Sequence, residues 1–415
     1  MKSKFHLALP VLNELENLPA LLNDLKQQSQ KDFTLWVCVN HYEHWRNLPE
    51  KREQIANNEK SIEFLKSYNK YNIRIIDRAS IGKGWAKKKG GVGWARKVIM
   101  DAIADEADID SLIVSIDADT SYPPNYLTAI ENVFANNPKL YGLAVPYYHR
   151  LNDNEDNNRL ILRYEIYMRN YALNMLHINN PYAFSALGSA MAFPVRAYKK
   201  VGGLTPVTSG EDFYFLQKLI KNGPVNFWAD TTAKPSSRLS DRVIFGTGPA
   251  LIKGEKGDWN SYPVYHYSLF EDIRKTFDAF PLLFEKDVPT PMDEFLHKQF
   301  KEENIWLPLR KNFKDKKNFI RACTNKVDGL RILQYLRKKQ ESTMLDNNSN
   351  LVDFLFYFYS DAMDDSFKKH LKDFDFDGSA VCFIDLVRDF MFEQETLLRK
   401  LHDKFRTTDL YKLMP

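Results

Sequence analysis

The chain has 415 residues, of which 44% are hydrophobic, 13% aromatic and 27% charged; it is too long for one ordinary core and too apolar for a disordered chain, so two or three folded domains are expected. Its net charge of +4, from 58 Lys and Arg against 54 Asp and Glu, is too small and dispersed to mark a nucleic-acid-binding protein. Cys38, Cys323 and Cys382 have no paired spacing, which argues against a disulfide framework or a thiolate zinc site and fits a reduced, cytoplasmic setting.

The start, MKSKFHLALP, lacks the long apolar core and cleavage site of a signal peptide and reads as a first β-strand over Lys4–Leu9. Further strands are predicted at Phe33–Asn40, Asn72–Asp77, Leu112–Ile116 and Lys139–Val145, with shorter ones near Ser189–Phe193 and Val225–Trp228. Between the first two, Leu15, Leu18, Leu22 and Leu25 repeat at the period of an amphipathic helix, and Val92–Glu106 reads as a helix that begins in glycines. Strands alternating with helical segments predict an α/β fold with a mostly parallel, Rossmann-like sheet. After Tyr262 the strand runs stop, and Lys/Glu/Asp-rich segments with aromatic and leucine anchors predict helices at Leu269–Phe277, Met292–Glu303, Asp328–Lys339, Leu351–Met363 and Phe383–Phe405. The organisation expected is an α/β domain over residues 1–265 and an α-helical C-terminal region over 266–415. The most apolar late segment, Leu351–Tyr359, carries Asp353 and is closed by Asp361, well short of the roughly 20 apolar residues of a transmembrane helix.

Four stretches carry candidate chemistry. In "GKGWAKKKGGVGWARK" (Gly82–Lys97) glycines and cations, Gly91 and Arg96 among them, could bring backbone N–H groups and positive charge to a phosphate, or form a basic surface loop; neither a dinucleotide fingerprint nor a Walker A motif is present. In "LIVSIDADTSYPPNYL" the strand ends in Asp117 and Asp119, two residues apart and so on one side of an extended chain. Such a pair serves equally as a polar turn or as hard oxygen ligands for Mg²⁺ or Mn²⁺; its place at a strand's carboxyl end favours a ligand site. In "GEDFYFLQKLIKNG" Glu211 and Asp212 open a helix, where the helix dipole favours negative charge, as an ordinary acidic start or as a general base. In "SSRLSDRVIFGTGPAL" Arg238 and Arg242 lie beside a Gly-x-Gly-Pro turn and could close over a leaving diphosphate. Two patterns are declined: "DFDFDG" has Ile384 where a calcium loop needs its twelfth-position Glu, and His41 with His44 lacks a third ligand.

Taken in order, "LPVLNELENLPALLNDLKQQ", "GGVGWARK", "SIDADTSYPPNYL" and "GSAMAFPVRAYKKVGG…GEDFYFLQKLIKNG" resemble glycosyltransferase family 2, nucleotide-sugar-dependent enzymes of the GT-A fold. The resemblance implies that Asp117 contacts the nucleotide ribose or shares a metal, that Asp119 binds a divalent Mn²⁺ or Mg²⁺ bridging the donor's diphosphate, and that Asp212 is the catalytic base of an inverting transfer with Glu211 positioning the acceptor. Pro10, Asn13 and Glu14 would border the nucleotide pocket. The implied partners are a nucleotide-sugar donor and a glycan, lipid-linked or small-molecule acceptor, reached from solution or by peripheral membrane contact, with no nucleic acid.

One departure concerns the base. The family's second strand commonly ends in aspartates, one of which reads the nucleobase, whereas here it ends in Asn40-His41, and an amide offers both donor and acceptor. Asp77, ending the third strand, is a candidate substitute, and His266 in "YPVYHYS" is a candidate late metal ligand or a packed core histidine. A sugar-phosphate nucleotidyltransferase would need a Gly-rich basic loop where this chain has "LNELENL", and a catalytically silent binding protein would not need both acidic motifs.

Overall fold

The computed structural model describes residues 4–87, 89–207, 210–238, 247–343 and 346–407. Two compact units account for them: Met1–Ile161 with Phe184–Gly257, and Leu162–Ala183 with Asp258–Pro415.

The first unit is built on seven strands: β1 (Phe5–Val11), β2 (Phe33–Asn40), β3 (Asn72–Arg78), β4 (Leu112–Ser115), β5 (Gly142–Ala144), β6 (Met191–Pro194) and β7 (Val225–Asn226). They form one sheet in the order β3-β2-β1-β4-β6-β5-β7. All neighbours run parallel except β6, which is antiparallel to both β4 and β5. The central strands are apolar on both faces, and β2 is buried at every position, as expected where helices cover a parallel sheet. Those covers are α1 (Leu18–Gln27), α2 (Arg52–Ser67), α3 (Val92–Glu106) and α4 (Tyr126–Asn136). Helix α1 turns Leu18, Leu21, Leu22 and Leu25 inward, each 2% exposed or less, and burial of such a side chain contributes roughly 1.5–3 kcal/mol.

Helix α5 (Glu155–His177), 23 residues long, follows β5; α6 (Val195–Lys200) follows β6, α7 (Glu211–Asn222) lies before β7, and α8 (Thr247–Glu255) ends the unit. Leu162–Ala183 belongs to the second compact unit, a segment that a division at residue 265 assigns to the α/β domain.

After Asp258 the secondary-structure elements described in the second unit are all helices, with α9 (Ser268–Leu283), α10 (Asp293–Phe300), α11 (Trp306–Asn312), α12 (Lys316–Lys326), α13 (Gly329–Thr343), α14 (Asn347–Tyr359), α15 (Asp365–Lys372) and α16 (Val381–Thr407) the α-helices. Its interior combines aromatics with a sealed ionic network. Arg169 donates to Glu165 and, at 2.6 Å, to Glu395, and Arg399 donates to the other oxygen of Glu395 at 2.8 Å. No described helix is long and apolar enough to cross a membrane.

Candidate active site

The sheet's carboxyl edge gathers most of the expected residues. Beyond β4 the chain places Asp117 and Asp119 partly exposed, with Ala118 between them buried at 4%. The turn is fixed from below: the Asp117 N–H donates to the Tyr122 phenol oxygen at 3.0 Å, and that hydroxyl donates to the Ser189 carbonyl at 3.0 Å. Burial raises the Tyr122 pKa well above its ordinary value, so the phenol stays a donor.

Arg96 joins the two acidic motifs. It lies on α3, is 4% exposed, and donates through Nη2 to Asp117 Oδ1 at 2.6 Å and through Nη1 to Glu211 Oε1. The sequence places Arg96 among the donor-binding residues; its guanidinium lies under the surface and holds two carboxylates. Gly188 makes room for it, because a Cβ there would stand 2.5 Å from the guanidinium carbon. Gly93, one turn earlier on α3, allows close packing on Val207, whose carbonyl oxygen a Cβ would meet at 2.5 Å.

Glu211 and Asp212 open α7 after Gly210, whose φ of 77° lies in the left-handed region that glycine tolerates. Glu211 is 3% exposed and tied to Arg96, whereas Asp212 keeps partial exposure and accepts from the Phe213 N–H at 2.7 Å. Burial raises the pKa of both carboxyls, Arg96 opposes the shift, and neighbouring acids add to it, Asp212 for Glu211 and Asp117 for Asp212. One buried cation thus faces three carboxylates, and the surplus negative charge rests at the helix start.

Asp119 belongs to a separate pair. Arg238 Nη2 donates to Glu14 Oε1 and lies 2.7 Å from Asp119 Oδ2, so one nitrogen bridges a residue just after β1 and one just after β4. Arg150 donates to the Asp119 backbone carbonyl at 2.9 Å. Arg242 lies outside the described residues.

At the neighbouring strand tips the expected base readers are committed elsewhere. The Asn40 amide donates to the Val11 carbonyl at 2.9 Å and accepts from Trp85 Nε1 at 3.0 Å, at 3% exposure. Asp77 Oδ1 accepts the N–H groups of Ala79 and Ser80, and Oδ2 accepts from Lys83 at 3.0 Å. Burial alone would raise the Asp77 pKa, but the hydrogen bonds from Ser80, Ala79 and Lys83 outweigh it and hold the carboxyl well below its ordinary value. Pro10 is the half-buried penultimate residue of β1, and Asn13 is exposed with a φ of 57°, its N–H donating to Asn58 Oδ1 at 2.8 Å. Gly91 caps α3 with a φ of 92°.

His266 lies in the second unit, where Nδ1 pairs with Ser268 Oγ at 2.7 Å and Nε2 lies 3.7 Å from Asp353. Among the described residues no group of three or more His, Cys, Asp or Glu side chains is arranged to hold a metal. The supports absent from the sequence reading are Tyr122, Gly188, Trp85, Asn58 and Arg150. Tyr122 stands in the quoted "DADTSYPP", so the tyrosine was visible, but its reach back to Asp117 and Ser189 depends on the folded turn.

Residues 112–281 match the profile described as glycosyl transferase family group 2. A comparison with curated protein sequences gives no significant match. Among solved structures, the chain is similar to S. aureus TarS 1-349 in complex with UDP-GlcNAc, at 13% identity and a TM-score of 0.38, covering 89% of this chain and 90% of that one. It is also similar to the mannosyltransferase PcManGT from Pyrobaculum calidifontis in complex with GDP-Man and Mn²⁺, at 10% identity and a TM-score of 0.38, covering 96% and 88%. Similarities of this depth add nothing to the reading of the site, which rests on the family match and on the sheet itself. The α/β sheet and helical C-terminal region are the architecture expected of a GT-A protein, and Asp117, Asp119, Glu211 and Asp212 all fall inside the matched span. The family match covers less than half of the chain, and within it residues 112–281 are similar to glycosyl transferase family group 2.

Proposed function

We propose that the protein transfers a sugar, with inversion, from a nucleoside-diphosphate sugar to an acceptor hydroxyl, with Asp212 as the base. The observation that carries this reading is the Arg96 bridge, which ties the Asp117–Asp119 turn to the Glu211–Asp212 helix start through one guanidinium. An in-line displacement needs that relation, because the leaving group departs on one side of the anomeric carbon while the nucleophile is deprotonated on the other. The Asp212 carboxylate takes the acceptor's hydroxyl proton, the acceptor oxygen forms the new bond to the anomeric carbon, and the bond to the diphosphate breaks with its electrons leaving on the nucleoside diphosphate. Glu211, sealed and held by Arg96, sets the position of Asp212 beside it.

A divalent cation fits the donor side. Glu14 and Asp119 already converge on one cationic atom, Arg238 Nη2, and both present hard oxygen donors of the kind Mg²⁺ and Mn²⁺ prefer. When bound, the metal would neutralise charge growing on the departing diphosphate. Asp119 and Glu14 would hold it, with Asp117 alongside, and the diphosphate and water would supply the remaining positions. Arg238, displaced from the two carboxylates, would then be free to pair with the diphosphate.

The test is product type with candidate donors. Free nucleoside diphosphate formed together with glycosylated acceptor supports the reading, whereas pyrophosphate would point to a nucleotidyltransferase. Unchanged sugar transfer in folded Asp119→Ala and Asp212→Asn would remove both residues from the mechanism, and the absence of both transfer and donor hydrolysis with every donor would replace the reading with a silent binding role.

A further inference from the structure

At the tips of β2 and β3, Nε2 of the buried His41 and Nε of Arg78 have no hydrogen-bond partner among the described residues. Asn40 and Arg78 are registered partners in the parallel ladder, so their side chains emerge on the same face of the sheet. Trp85 touches both, donating its indole N–H to Asn40 and lying with its ring centroid 5.0 Å from the Arg78 guanidinium. The polar atoms of Asn40 are taken by Val11 and Trp85, and those of Asp77 by its own turn and Lys83. Arg78 differs. It is half-buried, its Nε is shielded from solvent with no partner, and its guanidinium has no hydrogen-bond or ion-pair partner among the described residues. Other cations of this unit, Arg46, Arg96, Arg238 and Lys83, each have a carboxylate. A shielded N–H without an acceptor is costly unless something supplies one.

Its place suggests what does. Ligands of open α/β sheets lie across the carboxyl ends of the strands. In the order β3-β2-β1-β4, the tip carrying Arg78 lies three strand spacings from the tip carrying Asp117 and Asp119, about 14 Å at the usual interstrand distance. That span is on the order of an extended nucleoside diphosphate, so a donor whose diphosphate reaches Asp119 would bring its base toward Arg78.

We infer that Arg78 reads the donor nucleobase through hydrogen-bond acceptors and that the base is guanine. This rests on the nucleotide-sugar reading given above. Guanine presents O6 and N7 side by side, the pair a planar guanidinium meets with two parallel N–H donors. Adenine puts an amino donor where O6 would be, and uracil has no two adjacent acceptors. Cytosine does pair O2 with N3, but its O2 adjoins the glycosidic nitrogen beside the ribose, which leaves guanine's outer edge the more open to a guanidinium. The sheet tip therefore presents a donor where an aspartate would present an acceptor, which reverses the hydrogen-bonding polarity of the base site.

The experiment is calorimetric titration of the full chain with GDP, ADP, UDP and CDP in the presence of Mn²⁺, for the native protein and for Arg78→Gln and Arg78→Lys. The native protein should bind GDP roughly tenfold or more tightly than ADP, as expected for one bidentate base contact. Arg78→Gln should bring GDP to the level of the others while leaving those nearly unchanged. Arg78→Lys, with charge but no fork, should keep only part of the preference; it also serves if the Gln variant fails to fold. Equal affinities for all four, a preference for another base, or an equal loss across all four in Arg78→Gln would overturn the inference, the last by making Arg78 a phosphate contact. If no diphosphate binds at all, the nucleotide-sugar reading itself fails and the inference falls with it.

Discussion

Both compact units bury arginines against carboxylates, yet the two arrangements are opposites. Arg169 in the helical unit meets Glu165 at 0% and Glu395 at 6% side-chain exposure, so the whole set is sealed from water. Arg96 in the sheet unit is as deeply buried at 4%, but its partner Asp117 is 33% exposed. A sealed network contributes only by fixing how helices register, because its charges have already lost their hydration and are satisfied by one another, out of a ligand's reach. A pair open on one side holds its carboxylate in place while leaving oxygen lone pairs available to a ligand. The lesson is that burial of the cation says little about function; exposure of the anion it holds is what separates scaffold from site.

The largest effect expected from this contrast is on stability. Arg169→Met leaves Glu165 and Glu395 buried with less compensation, and removing one partner of such a network costs about 3 kcal/mol or more. Urea unfolding of the variant should show a lowered midpoint; a loss under about 1 kcal/mol would mean that the network is less sealed than its exposure indicates.

Gly188→Ala probes the open pair without touching a charge. Its Cβ would displace the Arg96 guanidinium, pulling at the Asp117 and Glu211 contacts together. Sugar transfer should fall by about tenfold or more through kcat, as small misplacements of catalytic groups do, with unfolding much less affected. Unchanged transfer would show that Arg96 can shift while both acidic motifs stay in place.

A smaller effect is expected at Arg238. Arg238→Ala removes the guanidinium that Glu14 and Asp119 share, so a metal ion no longer competes with it. Mn²⁺ binding to the protein alone should tighten a few-fold in titration calorimetry while transfer slows, because the proposed mechanism assigns the same arginine to the leaving diphosphate. Weaker Mn²⁺ binding in the variant would remove Asp119 and Glu14 as the metal-holding pair.

The smallest is a displacement in pH. Burial, the leading cause, together with nearby acids keeps Asp212 protonated to a higher pH than an ordinary carboxyl. A base must be ionised to act, so kcat/KM should fall on the acid side through a pH above the usual aspartate value of about 3.9. The stability sign is consistent: with the folded pKa raised, the folded state binds more protons than the unfolded one between the two values, so this group's contribution to stability declines as pH rises through that window. An acid limb at or below the ordinary value would exclude Asp212 as the base.

Much of this was legible from residue order. The spans of β2 and α3 agree with the prediction to the residue, because β2 is a continuous apolar and β-branched run and α3 has glycines before it and the helical period within it. Helix α5 escaped a specific prediction. Its 23 residues mix Tyr, Asn, Arg and apolar side chains without a narrow stripe, and Ile161, Leu162, Ile166, Ala172 and Met175 are all fully buried, so no polar face marks its period.

At the site, the two acidic pairs could be read directly, since strand ends and helix starts are local features that few neighbouring residues define. What local pattern could not supply was partnership. Glu14 and Arg238 stand 224 positions apart, Arg96 and Glu211 115, and Asn40 and Trp85 45. By its sequence alone the chain determined which groups are available for chemistry, because side-chain type and local period fix charge, element and facing. Only the tertiary structure decided which of those groups are already spent on one another, because hydrogen-bond capacity is finite and long-range packing chooses who uses it.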